Sequence, residues 1–237
     1  MPGPDRPLWA CPRCGRSFAI RNQSHACLSL SADDHLAYKT PLARAIYGGV
    51  VTALERCGEF RVHAQKTRIA FISRMSFAGV RATKSWIDLS FIMPDPIDDR
   101  RIRKLVLYGP TSWGHTVRIT DPAQIDARIE AWLCEAWRRG NQETLDPTAR
   151  VEPLSPSLLG VFETAFNARI AEERGGVVAR VPTHVAQALA AVDTVQVRVR
   201  GVTKREPLHH GRDGSWVGVR AAGLAEGDRV DVYLRVP

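Results

Sequence analysis

The segment Trp9-Ala-Cys-Pro-Arg-Cys-Gly-Arg-Ser-Phe18, followed by Asn22-Gln-Ser-His-Ala-Cys27, constrains this chain more than any other. It places Cys11, Cys14, His25 and Cys27 within seventeen residues, three thiols and one imidazole. A Cys-Pro-x-Cys-Gly turn aims two thiolates at one centre, because the glycine after the second ligand tolerates a left-handed backbone. Arg13 and Arg16 flank the thiols and favour the thiolate form that a metal needs. Three sulfurs and one nitrogen suit tetrahedral Zn²⁺, and with every position filled by protein the metal is structural and not catalytic. The competing reading is a redox Cys-x-x-Cys pair, which follows a strand and opens a helix. Here Pro12 and Gly15 make a knuckle, and ten residues separate Cys14 from His25. His25-x-Cys27 is tighter than the helical pairing of a DNA-reading finger, so it reads as a turn or extended segment. A structural zinc also lets residues 1–30 fold without a core of their own.

Past the knuckle, Thr40-Pro41 caps and opens a helix. Its apolar stripe is Leu42, Ile46, Val50 and Leu54, and Gly58 stops it. From Phe60 to Ile119 short runs of strand-forming residues alternate with turns. Five strands are expected, over Phe60–His63, Arg68–Phe77, Trp86–Ile92, Lys104–Tyr108 and His115–Ile119. Asp121-Pro-Ala-Gln124 has the capping-box pattern of a helix start, and Ile125, Ile129, Trp132, Leu133 and Trp137 form the buried face up to Gly140. Residues 141–156, with Pro147, Pro153 and Pro156, form a linker. Ser155-Pro156 then starts a helix whose apolar face is Leu158, Leu159, Phe162, Phe166 and Ile170, ended by Gly175-Gly176. The remainder is mostly strand: Val177–Val181, the alternation of Val195, Val197 and Val199, Trp216–Val219 after an Asp213-Gly214 hairpin turn, and Val230, Val232 and Leu234. Thr183–Ala191 is a short helix. The expected fold class is therefore α+β. A zinc module (1–30) precedes a helix–five-stranded sheet–helix domain (31–140), then the linker (141–156), then a helix with a small β-barrel domain (157–237).

Two resemblances bear on this scheme. Leu8-Trp-Ala-Cys-Pro-Arg-Cys-Gly-Arg-Ser-Phe, Asn22-Gln-Ser-His-Ala-Cys, Gln65-Lys-Thr-Arg-Ile-Ala-Phe and Arg74-Met-Ser-Phe-Ala resemble an uncharacterised bacterial family with a domain of unknown function. Some members of its wider group are labelled predicted transport proteins. Val197-Arg-Val-Arg-Gly201, Asp213-Gly and Gly223-Leu-x-x-Gly-Asp-x-Val230 resemble another uncharacterised family. That likeness implies a double-split β-barrel, a fold shared with AbrB/MazE-type transcription factors. Thr203-Lys-Arg-Glu-Pro207 departs from it where the family tends to have Asn-Gly and an aromatic residue.

Composition narrows the function classes. The net charge is +8, and between Arg61 and Lys104 ten Lys and Arg stand against four Asp, a local balance of +6. Such a bias suits anionic ligands, phosphates or nucleic acid. Lys66, Arg68, Arg74, Ser76, Lys84 and His115 are the candidate ligand set. Arg68, Arg74 and Ser76 would share one strand face, with His115 a titratable donor from a neighbouring strand. The function expected is a non-enzymatic, zinc-containing binding protein for an anionic small molecule; the alternative is a nucleic-acid-binding regulator using the basic sheet and the barrel. No nucleophile elbow, P-loop or dinucleotide glycine string occurs, and Asp33-Asp34-His35, Asp98-Asp99 and His209-His210 read as a helix cap, a solvated turn and a loop. No run of eighteen apolar residues occurs, so no membrane span is expected, and Met1-Pro-Gly-Pro-Asp-Arg-Pro lacks the core of a signal peptide. Three cysteines in a ligand cluster argue for a reducing cytoplasm, with Cys57 and Cys134 left as core thiols. The oligomeric state is not legible.

Overall fold

The computed structural model describes residues 6–23, 25, 27, 30–143, 151–173, 176–211 and 216–237. The expected Asp213-Gly214 turn, residues 144–150 of the linker and Gly175 lie outside them. The chain divides into two compact units, and the division is discontinuous. The first holds Met1–Pro94, Arg100–Arg103 and Gly114–Asp146; the second holds Asp95–Asp99, Lys104–Trp113 and Pro147–Pro237. Both are mixed α and β, and strand clearly outweighs helix in the second.

In the first unit a two-stranded ribbon, β1 (Trp9–Ala10) with β2 (Ser17–Phe18), carries the knuckle. Helix α1 (Ala32–Leu36) opens with a complete capping box between Ser31 and Asp34, as a carboxylate at that position should. Helix α2 (Pro41–Glu55) starts where Thr40 accepts from the Ala43 N–H, and it buries Ala43, Ile46, Val50, Ala53 and Leu54. Leu42, one turn before Ile46, is 42% exposed and does not join that stripe. The strands that come next in the chain are β3 (Arg61–Ala64), β4 (Ile69–Ile72), β5 (Ser76–Ala82), β6 (Ile87–Met93), β7 (Ile102–Gly109) and β8 (Ser112–Ile119). Within this unit the strand order is β3-β4-β5-β6-β8. The single strand expected over 68–77 is two, because the chain turns back at Ser73–Met75 and the β4–β5 register shifts at Phe71/Ile72.

The capping box at Asp121–Gln124 is present, but it caps a single 3₁₀ turn, Pro122–Gln124. The long helix α3 (Ala127–Gly140) has its own cap at Asp126. Phe91 and Trp132 stack at 5.7 Å between sheet and α3, and Tyr47 stacks on Phe71 at 6.4 Å beneath α2. At the far end of α3, the Gly140 carbonyl accepts from the Met75 N–H at 2.9 Å. A Cβ at Gly140 would lie 2.5 Å from the Ser73 hydroxyl, so only glycine permits this approach.

In the second unit α4 (Pro156–Leu159) is one turn long, and β9 (Phe162–Glu173) replaces most of the expected helix. A spacing of four satisfies the period of a strand as well as that of a helix. Phe162, Thr164, Ala168 and Ile170 are the buried members of the alternating set. Then come β10 (Gly176–Arg180), α5 (Thr183–Ala188), β11 (Thr194–Val199), β12 (Val202–Pro207), β13 (His209–His210), β14 (Val217–Arg220) and β15 (Arg229–Arg235). The first half of β9 pairs with β15, and its end pairs with β10, so one long strand serves two sheets. One runs β12-β11-β15-β9-β7, with β7 parallel to β9; the other is β9-β10-β14-β13. Val195, Val197, Val219, Val232 and Leu234 form their shared apolar core.

Cys57, just past α2, and Cys134 on α3 are disulfide-bonded, with Cα atoms 4.8 Å apart. They are not the core thiols expected. Disulfides persist in oxidising surroundings, so the cysteine count no longer argues for a reducing cytoplasm. No helix among the described residues is long and apolar enough to cross a membrane.

Candidate metal centre and the basic face

The four expected ligands converge. Cys11 Sγ and Cys27 Sγ are 3.9 Å apart, Cys14 Sγ and His25 Nε2 3.3 Å, and Cys27 Sγ and His25 Nε2 3.4 Å. All four ligand atoms lie within 4.8 Å of one another, so they could hold one metal ion. With metal–sulfur bonds of about 2.3 Å and metal–nitrogen bonds of about 2.0 Å, a tetrahedron has edges of about 3.8 Å between sulfurs and about 3.5 Å from sulfur to nitrogen. The observed separations fit those edges.

The backbone explains the convergence. The Gly15 N–H donates to the Cys11 carbonyl at 2.8 Å and the Cys11 N–H to the Arg16 carbonyl at 2.9 Å, closing the turn. Gly15 sits at φ +69°, the left-handed region that the residue after the second thiol must enter. His25 is oriented by its other nitrogen: Nδ1 donates to the Gln23 carbonyl at 2.7 Å, which leaves the Nε2 lone pair facing the thiols. The Phe18 ring lies 4.4 Å from the imidazole, centroid to centroid, and Trp9 meets it edge-on at 6.4 Å.

The surroundings act differently on the ligands. Burial opposes ionisation of Cys11, but the Arg13 and Cys14 backbone N–H groups and the Cys14 and Cys27 thiols outweigh it and bring the thiol down to about 6. Burial and the neighbouring Cys14 and Cys11 push Cys27 up. The Gln23 carbonyl, then Cys14, raise His25. Beside the knuckle, His63 on β3 is pushed down to about 4 by burial and by Arg16, Arg61 and His25. The knuckle is tied to that strand: Arg16 donates to the Ala64 carbonyl at 3.5 Å, Arg61 donates to the Ser17 carbonyl at 3.4 Å, and Phe18 meets His63 edge-on.

The expected ligand set divides. Lys66 and Arg68 are exposed on the β3–β4 turn, and Lys84 is exposed on the β5–β6 turn. The registers Ala64↔Ile69 and Ile69↔Val80 put both turns at one end of the sheet. Arg74 and Ser76 lie past the other end of β4, on or beside the β4–β5 turn. Arg74 donates there to the Arg6 carbonyl and to Gln142. Four strand residues separate the groups, a span of more than about 10 Å. Arg68 and Arg74 therefore do not share a strand face. His115 is fully buried and stacks on Phe91 at 5.5 Å, on the face covered by α3. The hydrophobic residues around it in β8 are what a core histidine has, and period-two alternation carries it inward.

Other features lie outside the expected set. Tyr38 is 94% exposed on the segment joining α1 to α2. That segment ties both turns together, since His35 Nε2 donates to the Gln65 carbonyl at 2.7 Å and the Thr40 N–H donates to the Lys84 carbonyl at 3.0 Å. On β6, buried Asp88 accepts from Arg81 at 2.7 Å and Arg118 at 3.0 Å, and Arg118 lies over the Trp86 ring. Burial works against the Asp88 carboxylate, but the two guanidiniums hold it below its ordinary range. The cross-strand pair Arg81↔Asp88 follows from the turn at Thr83–Trp86 and was open to sequence reasoning once that turn was placed. In the second unit His209 pairs through its backbone with Gly218, and burial lowers its imidazole.

Residues 32–139 match the model of a family described as a domain of unknown function, DUF5655. The match begins at the first residue of α1 and ends in the last turn of α3, so the Cys/His cluster precedes it. No curated protein and no solved structure matches the chain.

Proposed function

We propose that this protein is a zinc-braced, non-enzymatic binding protein whose first unit takes an anionic small molecule at one end of its sheet. The observation that carries the proposal is the grouping of Lys66, Arg68 and Lys84 on two adjacent turns. Neither lysine has an acidic partner among the described residues, and the Arg68 Nε donates to Gln65 at 2.9 Å. Cations clustered without carboxylates attract phosphates and carboxylates, and arginine adds a two-pronged donor. Tyr38 offers an aromatic face on the segment that holds both turns, which suits an anion bearing a ring, such as a nucleotide.

Zinc fits the Cys₃His donor set better than a hard cation, which prefers oxygen ligands. With four protein ligands it would be structural, fixing Arg16 against the Ala64 carbonyl beside the cationic turns. Arg74, Ser76 and His115 have no part in this site. The second unit is read as the small barrel-like domain that its sequence resembles.

Thermal-shift screening against nucleotides, inorganic phosphates and carboxylates tests the ligand. A stabilising hit that Arg68→Glu and Lys66→Glu abolish, and that Arg74→Glu spares, supports it. No hit, or a hit indifferent to the first two changes, rejects it. A steeply salt-dependent shift of mixed-sequence DNA or RNA, with no small-molecule hit, would instead favour the nucleic-acid reading. Elemental analysis should find about one zinc per chain, lost on Cys14→Ser.

A further inference from the structure

The second unit holds a pocket of about 300 Å³ between the β11–β12 hairpin and the segment after β14. Its floor is apolar: Val197, Ala221 and Leu224 are all buried. Its rim is not. Arg200 and Lys204 reach it from the hairpin and Arg220 from the end of β14, against the single carboxylate of Glu206.

Two details mark the arginines: one guanidinium is positioned by a hydrogen bond and one residue has an unusual backbone. Arg220 donates from Nη1 to the Gly176 carbonyl at 3.1 Å, which positions the guanidinium while other N–H groups remain for a ligand. Arg200 occupies φ +48° and Gly201 φ +80°, in a two-residue turn closed by the Val199↔Val202 pair. Such a turn favours asparagine or glycine at its first position, and an arginine there adopts a backbone region it ordinarily avoids. The turn alone does not account for arginine; a cation required at the pocket mouth does.

We propose that this pocket binds a monoanionic amphipathic acid, its carboxylate against Arg200, Lys204 and Arg220 and its apolar body on Val197 and Leu224. Size sets the scale. A volume of 300 Å³ equals that of about ten water molecules, room for about ten non-hydrogen atoms and not for a dinucleotide or a long-chain lipid. An apolar floor would leave a bare phosphate with half of the pocket unmatched, while a neutral alcohol would leave the cations unpaired. This site is independent of the anion site proposed for the first unit.

Calorimetric titration of the full chain with octanoate, octan-1-ol and inorganic phosphate tests the assignment. Octanoate should bind this pocket saturably, with the alcohol, and phosphate in the Lys66→Glu chain, each at least about tenfold weaker. Lys204→Glu, a change at an exposed strand position, should weaken octanoate about tenfold, and Glu206→Gln should tighten it about twofold to threefold. Lys66→Glu, in the first unit, should leave octanoate unchanged, which separates this result from the fate of the other site. The proposal is overturned if octanoate does not bind at millimolar concentration, or if the alcohol, or phosphate in the Lys66→Glu chain, binds as well. Indifference to Lys204→Glu in a protein of unchanged melting temperature overturns it too.

Discussion

Both units own an apolar core, but only the first adds cross-linking residues to it. The first contains every cysteine of the chain: three gather with His25 at the knuckle, where together they could hold a metal ion, and Cys57 and Cys134 are bonded across a sequence separation of 77. The second has no cysteine and relies on one apolar cluster filled from two sheets. A cross-link acts largely by restricting the unfolded chain, whereas a core acts by removing apolar surface from water in the folded one. The knuckle shows why the first unit needs the former. Among its described residues only Cys11 and Phe18 are buried, too little surface to hold a two-stranded ribbon in water.

Removing the metal should break this contrast most sharply. Binding free energies of closed zinc sites reach about 10 kcal/mol or more. Chelation or Cys14→Ser should therefore release amide protection throughout β1 and β2 in hydrogen exchange while β11 and β15 keep theirs. Equal loss in both units would show that the difference between them is not one of cross-linking. The converse change is Leu234→Ala, at a fully buried position of β15. It should cost about 2–5 kcal/mol by denaturant titration, with metal content unchanged. Replacing both Cys57 and Cys134 with serine comes next, at about 2–4 kcal/mol, with the loss confined to the transition of the first unit. Adding a reductant to the unaltered protein should produce the same shift.

The smallest effect sharpens the contrast through pH. Asp88 has a folded-state acidity lowered by Arg81 and Arg118, so its contribution is present above the unfolded carboxylate value of about 4 and is lost as pH falls through the lower folded value. Asp88→Asn should cost about 1 kcal/mol at neutral pH, since both arginines stay solvated, and should flatten the acid limb of the first unit's stability curve. An unchanged acid limb would show that other carboxylates carry it.

How much of this was legible depended on whether the signal was local. The ligand spacing of the knuckle, the Thr40 cap and the capping box at Asp121 lie within short stretches and all are present, though the box closes a 3₁₀ turn and the helix has its own cap at Asp126. The helix expected at Leu158–Ile170 failed because a four-residue spacing fits both periodicities, and the strand pattern prevailed once β10 and β15 supplied partners. The fused strand at 68–77 failed because Ser73-Arg-Met75 contains neither glycine nor proline to mark a turn. The disulfide joins residues too far apart for any local pattern. The placing of the basic set was not legible: only strand registers could put Lys66, Arg68 and Lys84 at one end of the sheet, Arg74 and Ser76 at the other, and His115 in the core.

The discontinuity of the two units has a consequence for modularity. Because Lys104–Trp113 belongs to the second unit, Leu105, Leu107 and Trp113 sit in the core that Leu234 and Val197 complete. A fragment beginning at residue 147 would lack them, along with the strand that lies beside β9. The C-terminal portion is thus not a cassette that one recombination event could move into another chain and expect to fold.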